Sequence, residues 1–203
     1  MSKDYFIRTV NENDAQELLN IYSPYVNNTA ITFEYDVPSI VEFKKRINMT
    51  LNKYPYIAII KEDKIVGYAY ASMFHEREAY SHCVETSIYI KNEFRGQGFG
   101  KAIYLALEDI LKKQNVFNLN ACIAYAPTED EYLTNDSEKF HKHLGYKTVG
   151  RFTRCGYKFN RWYDMIWMEK LIDFDTNNVE PFIPFSELEH KLMQPMEDIS
   201  IVI

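Results

Sequence analysis

The 203-residue sequence predicts a mixed α/β domain followed by a short tail. Three observations carry that reading. Strand-like and helix-like hydrophobic periods alternate in the order β-α-α-β-β-β-α-β-α-β-β. The period changes from helical to strand-like near residue 56. Three glycines, Gly96, Gly98 and Gly100, then separate a strand-like run from a strongly amphipathic helix.

The elements follow in chain order. "YFIRTV" (5–10) reads as a first strand, and "NENDAQELLNIYSPYVNN" as a helix with Asn11 or Asn13 as cap and Leu18, Leu19 and Tyr22 at helical spacing. Pro24 disfavours helical geometry at the residue before it, so this helix is expected to end or kink there. "TFEYDVPSIVEFKKRINMTLNKY" reads as a loop and a second helix started by Pro38, with Val41, Phe43, Ile47 and Leu51 on its apolar side. "YIAIIKEDKIVGYAYASMF" is a hairpin around Glu-Asp-Lys, and "HCVETSIYI" a fourth strand. "GFGKAIYLALEDILKKQ" is a helix and "FNLNACIAYA" a fifth strand. "NDSEKFHKHLG" is a short helix that Asp136 or Ser137 can cap and Gly145 can close. "YKTVGRFTRCGYKF" and "RWYDMIWMEKL" are the last strands, joined around Asn160, for about seven strands in one mixed sheet. Residues 1–172 form the domain. Residues 173–203 are an acidic, proline-containing tail that packs on the domain or on a partner.

Composition narrows the function classes. A net charge of -6 makes a poor general binder of nucleic acid or anionic membrane, so an anionic ligand needs a local basic site. An aromatic content of 15% favours a compact fold with tyrosine-lined clefts over disorder. Cys83, Cys122 and Cys155 are scattered and odd in number, which argues against a disulfide framework or a zinc cluster. His141 and His143 stand i,i+2, which does not share a helix face, so no metal site is expected. "MSKDYFIRTV" has no apolar signal core and no apolar run is long enough to span a membrane; the expected location is the cytoplasm.

The glycine turn "KNEFRGQGFG" is the main chemical signal. A dinucleotide fingerprint needs a third glycine at 101, where Lys101 stands. A P-loop needs a glycine at 95, where Arg95 stands, and Ser or Thr at 102, where Ala102 stands. What remains is a strand, a flexible turn and a helix N-terminus between Arg95 and Lys101, which suits a pyrophosphate better than it suits a plain turn.

"RGQGFG" resembles the acetyl-CoA signature of the GNAT superfamily of N-acetyltransferases. "TFEYDVPS", "REAY", "VETSIYI", "FHKHLGY" and "GYKFNRWYDMIW" together resemble its phosphinothricin N-acetyltransferase group, over about residues 5–171. The resemblance implies the GNAT acyl-CoA N-acyltransferase fold, in which two neighbouring strands splay to hold the cofactor. It implies that Ile88, Tyr89 and Ile90 line the pantetheine arm of acetyl-CoA. The backbone of Arg95, Gly96, Gln97, Gly98, Phe99, Gly100 and Lys101 would hold its pyrophosphate. No metal is expected.

The same resemblance assigns candidate site residues. Alternation puts Glu85, Ser87 and Tyr89 on one face of the fourth strand, opposite Val84, Thr86, Ile88 and Ile90. By alternation alone Glu85 is a solvated carboxylate; by resemblance it is the general base that takes the ammonium proton, directly or through water. His141 matches a group histidine that relays a proton or orients the amine. Arg77 and Tyr80 match a substrate-side segment, and Phe33 with Glu34 a loop that covers the substrate. Lys158, Arg161 and Trp162 shape the site or a subunit contact.

The segment 125–137 departs from the group. It is long, Pro127 and Thr128 stand where an asparagine is common, Asn135 is displaced, and Glu129, Asp130 and Glu131 form an acidic lip. The expected reaction is acetyl transfer from acetyl-CoA to the amine of a small amino-acid-like molecule such as phosphinothricin, methionine sulfone or sulfoximine. The acidic lip favours a second reading, a polyamine or a protein N-terminal amine. A third is a CoA-binding module without chemistry. Group resemblance implies a homodimer.

Overall fold

A computed structural model describes residues 5–172 and 178–192. Its centre is a seven-stranded mixed sheet of order β1-β2-β3-β4-β5-β7-β6. The strands are β1 (Phe6–Thr9), β2 (Tyr56–Lys61), β3 (Lys64–Met73), β4 (Cys83–Ile90), β5 (Asn118–Tyr125), β6 (Lys147–Lys158) and β7 (Arg161–Leu171). All neighbours are antiparallel except β4 and β5. Glu62 and Asp63 have φ of 50° and 59°, and Phe159 and Asn160 have 52° and 60°. Both hairpins thus turn in two left-handed residues, whose twist matches that of the strands they join.

The helices are α1 (Ala15–Asn28), α2 (Ile40–Leu51), α3 (Phe99–Lys113), α4 (Asp136–His143) and α5 (Phe185–Leu192). One sheet face carries α1 and α2: Leu18, Ile21, Tyr22, Phe43 and Ile47 pack on Tyr56, Ala58 and Tyr68. The other carries α3, whose Ile103, Leu107 and Leu111 pack on Ile57, Val66, Val84 and Leu119. A smaller cluster of Ala30, Ala126, Leu133 and Tyr163 ties the α1–α2 loop to the β5–α4 segment.

Several local expectations change. Of the two outcomes expected at Pro24, an end is excluded: α1 runs on through it, because Tyr25 and Val26 beyond it are 7% and 1% exposed and their packing outweighs the lost hydrogen bond. Ser39, rather than Pro38, caps α2, its hydroxyl accepting from Glu42 N–H (3.2 Å). Asn135, not Asp136 or Ser137, is the N-cap of α4, with no side-chain cap bond. Gly145 (φ 93°) closes that helix in the left-handed conformation, as expected. Asn11 forms a capping box with Asp14 ahead of α1.

Part of the tail packs on the α3 face. Phe185 and Leu188 are buried there, and Phe185 N–H donates to Lys53 O (3.0 Å). Buried Gln114 bridges Lys53 O (2.9 Å) and Ile183 O (2.8 Å), fastening the tail to the end of α2. Residues 173–177 and 193–203 of the expected tail lie outside the described residues.

Candidate active site

Strands β4 and β5 pair only at Cys83 with Asn118, Val84 with Leu119 and Glu85 with Asn120. Beyond that point each keeps its other neighbour: β4 stays on β3 as far as Ile90, and β5 stays on β7 as far as Tyr125. The two strands therefore fork. From Thr86 to Ile90 the open edge of β4 is about 16 Å long at ~3.3 Å per residue. A narrow slot of about 60 Å³ lies in the fork, lined by β4 from Thr86 to Tyr89, by β5 from Ala121 to Ala124, and by Ile31, Leu133, Ser137 and His141.

The backbone of β4 serves this slot. Tyr25 Oη donates to Ile90 O and accepts from Ile90 N–H (3.3 Å), so the polar groups of Ile90 face away from β3. Alternation then turns the N–H and C=O of Ile88 into the fork as well. Ile88 and Tyr89 line the slot, and the Ile90 side chain does not. It is 8% exposed in the core, and a Cβ on Gly67 would stand 2.2 Å from its Cδ1, so the absent side chain of Gly67 is what makes room for it.

The fork opens toward the glycine turn. Gly96 has φ 73° and Gly98 φ 88°, both costly for any residue with a Cβ. Gly98 is the N-cap of α3, and the first helical bond is Ala102 N–H to Gly98 O (3.1 Å). The N–H groups of Phe99, Gly100 and Lys101 precede that bond and have no acceptor within the helix. The first turn holds no acidic residue, and nothing lies within 4 Å of a Cβ placed on Gly96. An open, donor-rich face with exposed Arg95 and Lys101 beside it fits a pyrophosphate. Phe99 contributes backbone only, since its ring is buried against Tyr5 and Phe94. The amide of Gln97 donates to Glu93 O (2.8 Å) and braces the turn. Gly100 stands close to α4, where an added Cβ would lie 3.3 Å from Phe140 Cε2.

Glu85 occupies the apex of the fork. It is half-buried on the α1–α2 face, opposite Ser72 of β3, and burial alone pushes its carboxyl above the ordinary carboxylate range. His141 lies on the other face, 3% exposed. Its Nδ1 donates to Ser137 O (2.7 Å), so its Nε2 accepts, and the donor there is the Tyr104 hydroxyl (3.0 Å). With the Tyr104 proton on His141, Thr86 Oγ1 donates to Tyr104 Oη (2.6 Å); it also lies 3.0 Å from Asn120 O and is reached by Tyr146 Oη (3.3 Å). Burial lowers the pKa of His141 to about 4, against the weaker opposing pull of Ser137 O. The imidazole is neutral at pH 7 with neither nitrogen free. Sequence reasoning missed this Thr86–Tyr104–Tyr146 network, because its members look like ordinary core positions. His143, two residues on, is exposed.

Each carboxylate of the acidic lip has a cation partner. Glu131 is bidentate with Arg161 (2.7 and 2.8 Å). Asp130 pairs with Arg161 (2.9 Å) and accepts from Tyr163 Oη and from Tyr132 and Leu133 N–H. Glu129 accepts from Asn135 N–H (2.9 Å) and Lys139 (3.2 Å). These three carboxylates share two cations, Arg161 and Lys139, so the lip keeps an acidic balance. The same bonds fold the segment back on itself, so that Asn135 returns to the end of β5 and clamps Ala126 N–H (3.1 Å) and C=O (2.9 Å).

Other candidates fall elsewhere. Buried Lys158 donates to Val26 O (2.7 Å), Thr29 O (2.9 Å) and Thr32 O (2.8 Å), tying the β6–β7 turn to the C-terminus of α1, where a cation is favoured. Phe33 covers Gly156 in the same region, leaving no room for a Cβ there. Glu34 pairs with Arg46 (2.8 Å) and accepts from Tyr22 Oη (3.0 Å). Arg77 and Tyr80 lie exposed on the β3–β4 connection, at the Glu85 end of β4 but outside the slot. Trp162 is 58% exposed on the last hairpin.

Comparison with known proteins agrees with this geometry. The acetyltransferase (GNAT) domain family matches residues 7–167. The chain is 30% identical over 163 residues to the phosphinothricin N-acetyltransferase of Streptomyces coelicolor, covering 78% of this chain and 91% of that one. It is 26% identical over 170 residues to the L-methionine sulfoximine/L-methionine sulfone acetyltransferase of Pseudomonas aeruginosa, covering 82% and 94%. Among solved structures, a GNAT superfamily phosphinothricin acetyltransferase from Sinorhizobium meliloti in complex with AcCoA aligns with a TM-score of 0.79 at 30% identity, over 90% of this chain and 97% of that one.

Proposed function

The chain belongs to the GNAT acetyltransferase family, and from that premise we propose that it transfers the acetyl group of acetyl-CoA to the amine of a small amino-acid-like acceptor. Phosphinothricin, methionine sulfone and methionine sulfoximine, the substrates named for its relatives, define the first panel to test. One observation carries the reading: the fork that opens at Glu85 and Asn120 and runs to the glycine-bounded N-terminus of α3.

Bound acetyl-CoA supplies an activated acyl group. The backbone N–H groups at the start of α3, with Arg95 and Lys101, hold its pyrophosphate, and the fork-facing edge of β4 at Ile88 holds its arm. An N–H of that edge also serves as the donor that an acyl oxygen needs when it takes up negative charge. Glu85 takes the ammonium proton of the acceptor, and its raised pKa brings it closer to the range in which a carboxylate works as a base. His141 forms part of the slot wall. Kept neutral by burial and oriented by Ser137 and Tyr104, it fixes the hydroxyl network under Thr86 and does not itself take a proton from water at pH 7.

The assembly we propose is a homodimer, built on the open edge of β6. That strand ends the sheet and exposes Val149 and Phe152, and nearer the last turn Tyr157 and its β7 partner Trp162 are exposed as well. The location we propose is the cytoplasm, where acetyl-CoA is available to such an enzyme. Thiol release from acetyl-CoA with the acceptor panel tests the activity. Silence with every acceptor sinks it.

A further inference from the structure

A second cavity lies on the α1–α2 side of the sheet, between α2 and strands β2, β3 and β4, with a volume of about 470 Å³. That is within the range of small-molecule sites and far above the narrow slot in the fork. Tyrosines form the side opposite α2, with Tyr22 from α1, Tyr56 from β2, Tyr68 and Tyr70 from β3, and Tyr89 from β4, while α2 brings the polar Glu42, Lys45, Arg46 and Thr50. Tyr56 and Tyr70 stack with centroids 4.8 Å apart, and Tyr22 meets Tyr89 edge-on at 4.9 Å. The cavity reaches the reaction centre. Ser72, on its lining, is directly opposite Glu85, and Tyr70 is opposite Ser87, all on one face of the sheet.

Charge at the far end is already spent. Arg46 is held by Glu34 (2.8 Å) and Glu42 (3.2 Å), and Glu34 also takes the Tyr22 hydroxyl (3.0 Å). A second anionic group on an acceptor finds no uncommitted guanidinium there. Lys45 is the remaining cation on the lining, exposed at the rim where water and salt weaken it. What the cavity offers is aromatic surface, which favours flat or bulky apolar groups through offset stacking and burial.

We infer that this cavity is the side-chain subsite of the acceptor, and that the enzyme prefers α-amino acids with aromatic or large apolar side chains to small acceptors or those with a second anionic group. The inference rests on the acetyl-transfer reading and on Glu85 as the group that meets the amine. Steady-state thiol release is measured with L-alanine, phosphinothricin, methionine sulfone, L-phenylalanine and L-tryptophan. The kcat/KM for the aromatic acceptors is expected to exceed that for alanine and phosphinothricin by at least about tenfold. Tyr70→Ala lowers the phenylalanine-to-alanine ratio by about tenfold or more, whereas Tyr70→Phe keeps it within about threefold. Met49→Trp, at a rim position that is 64% exposed and outside the core, narrows the mouth and lowers the same ratio should Tyr70→Ala fail to fold. Preference for alanine or phosphinothricin, or a ratio that neither Tyr70→Ala nor Met49→Trp moves, overturns the subsite and leaves acetyl transfer standing. No release with any amine overturns acetyl transfer and the subsite together.

Discussion

Glu85 of β4 and Asn120 of β5 are the last residues at which the two parallel strands pair. One residue farther on the strands separate. The candidate base therefore stands at the closed end of the fork, and the glycine turn stands at the open end.

Replacing Glu85 by Gln removes the proton acceptor and keeps the shape. We expect kcat/KM for the acceptor to fall by about 10²–10⁴-fold. Calorimetry should find acetyl-CoA affinity within about threefold of wild type, because the cradle lies at the other end of β4. Equal loss of both would identify Glu85 as structural.

Acetylation should also titrate with Glu85. A base works when deprotonated, and burial raises this carboxyl above its ordinary value of 4.5. Activity is therefore lost as pH falls, with the midpoint above 4.5. A kcat/KM profile with an acid limb below that value contradicts the assignment.

His141 makes a separate pH prediction, in stability. Its pKa falls from 6.5 to about 4 on folding. Above 6.5 it is neutral in both states and contributes no pH dependence. Between 6.5 and 4 the unfolded chain binds the proton and the folded chain does not, so stability declines as pH falls. The full loss is about 3 kcal/mol once pH is below 4. Urea unfolding of wild type and His141→Gln at pH 7.5 and 4 measures it, and the variant should show the smaller decline.

Gly98→Ala tests the cradle. At φ 88° a Cβ costs roughly 1–2 kcal/mol, and relaxing that strain turns the first N–H groups of α3. We expect the KM for acetyl-CoA to rise about tenfold, with the acceptor KM much less affected. An unchanged acetyl-CoA KM would show that the ligand does not meet this turn.

Lys158→Met keeps the apolar stem and deletes the ammonium. Three carbonyls at the end of α1 and in the α1–α2 loop lose their donor. About 2–4 kcal/mol of stability should go with it, read as a lower melting temperature. Loss of activity at full stability would instead give Lys158 a role in the chemistry.

Much of this protein is legible along the chain. The element order, the two hairpins, the glycine turn and the face of Glu85 rest on neighbours within a few residues, where periodicity and backbone sterics decide. Pro24 marks the limit: its local preference is real, but burial of Tyr25 and Val26 overrides it.

Residue order alone determined a strand, a glycine turn and a helix N-terminus at residues 83–113, with a carboxylate at the head of that strand. Tertiary structure decided where β4 and β5 part. It decided that His141 is neutral, that the carboxylates at 129–131 are paired, and that five tyrosines from four elements wall one cavity. These properties depend on desolvation and on partners far apart in the chain, such as Tyr22 and Tyr89, and no local pattern encodes which distant groups will meet.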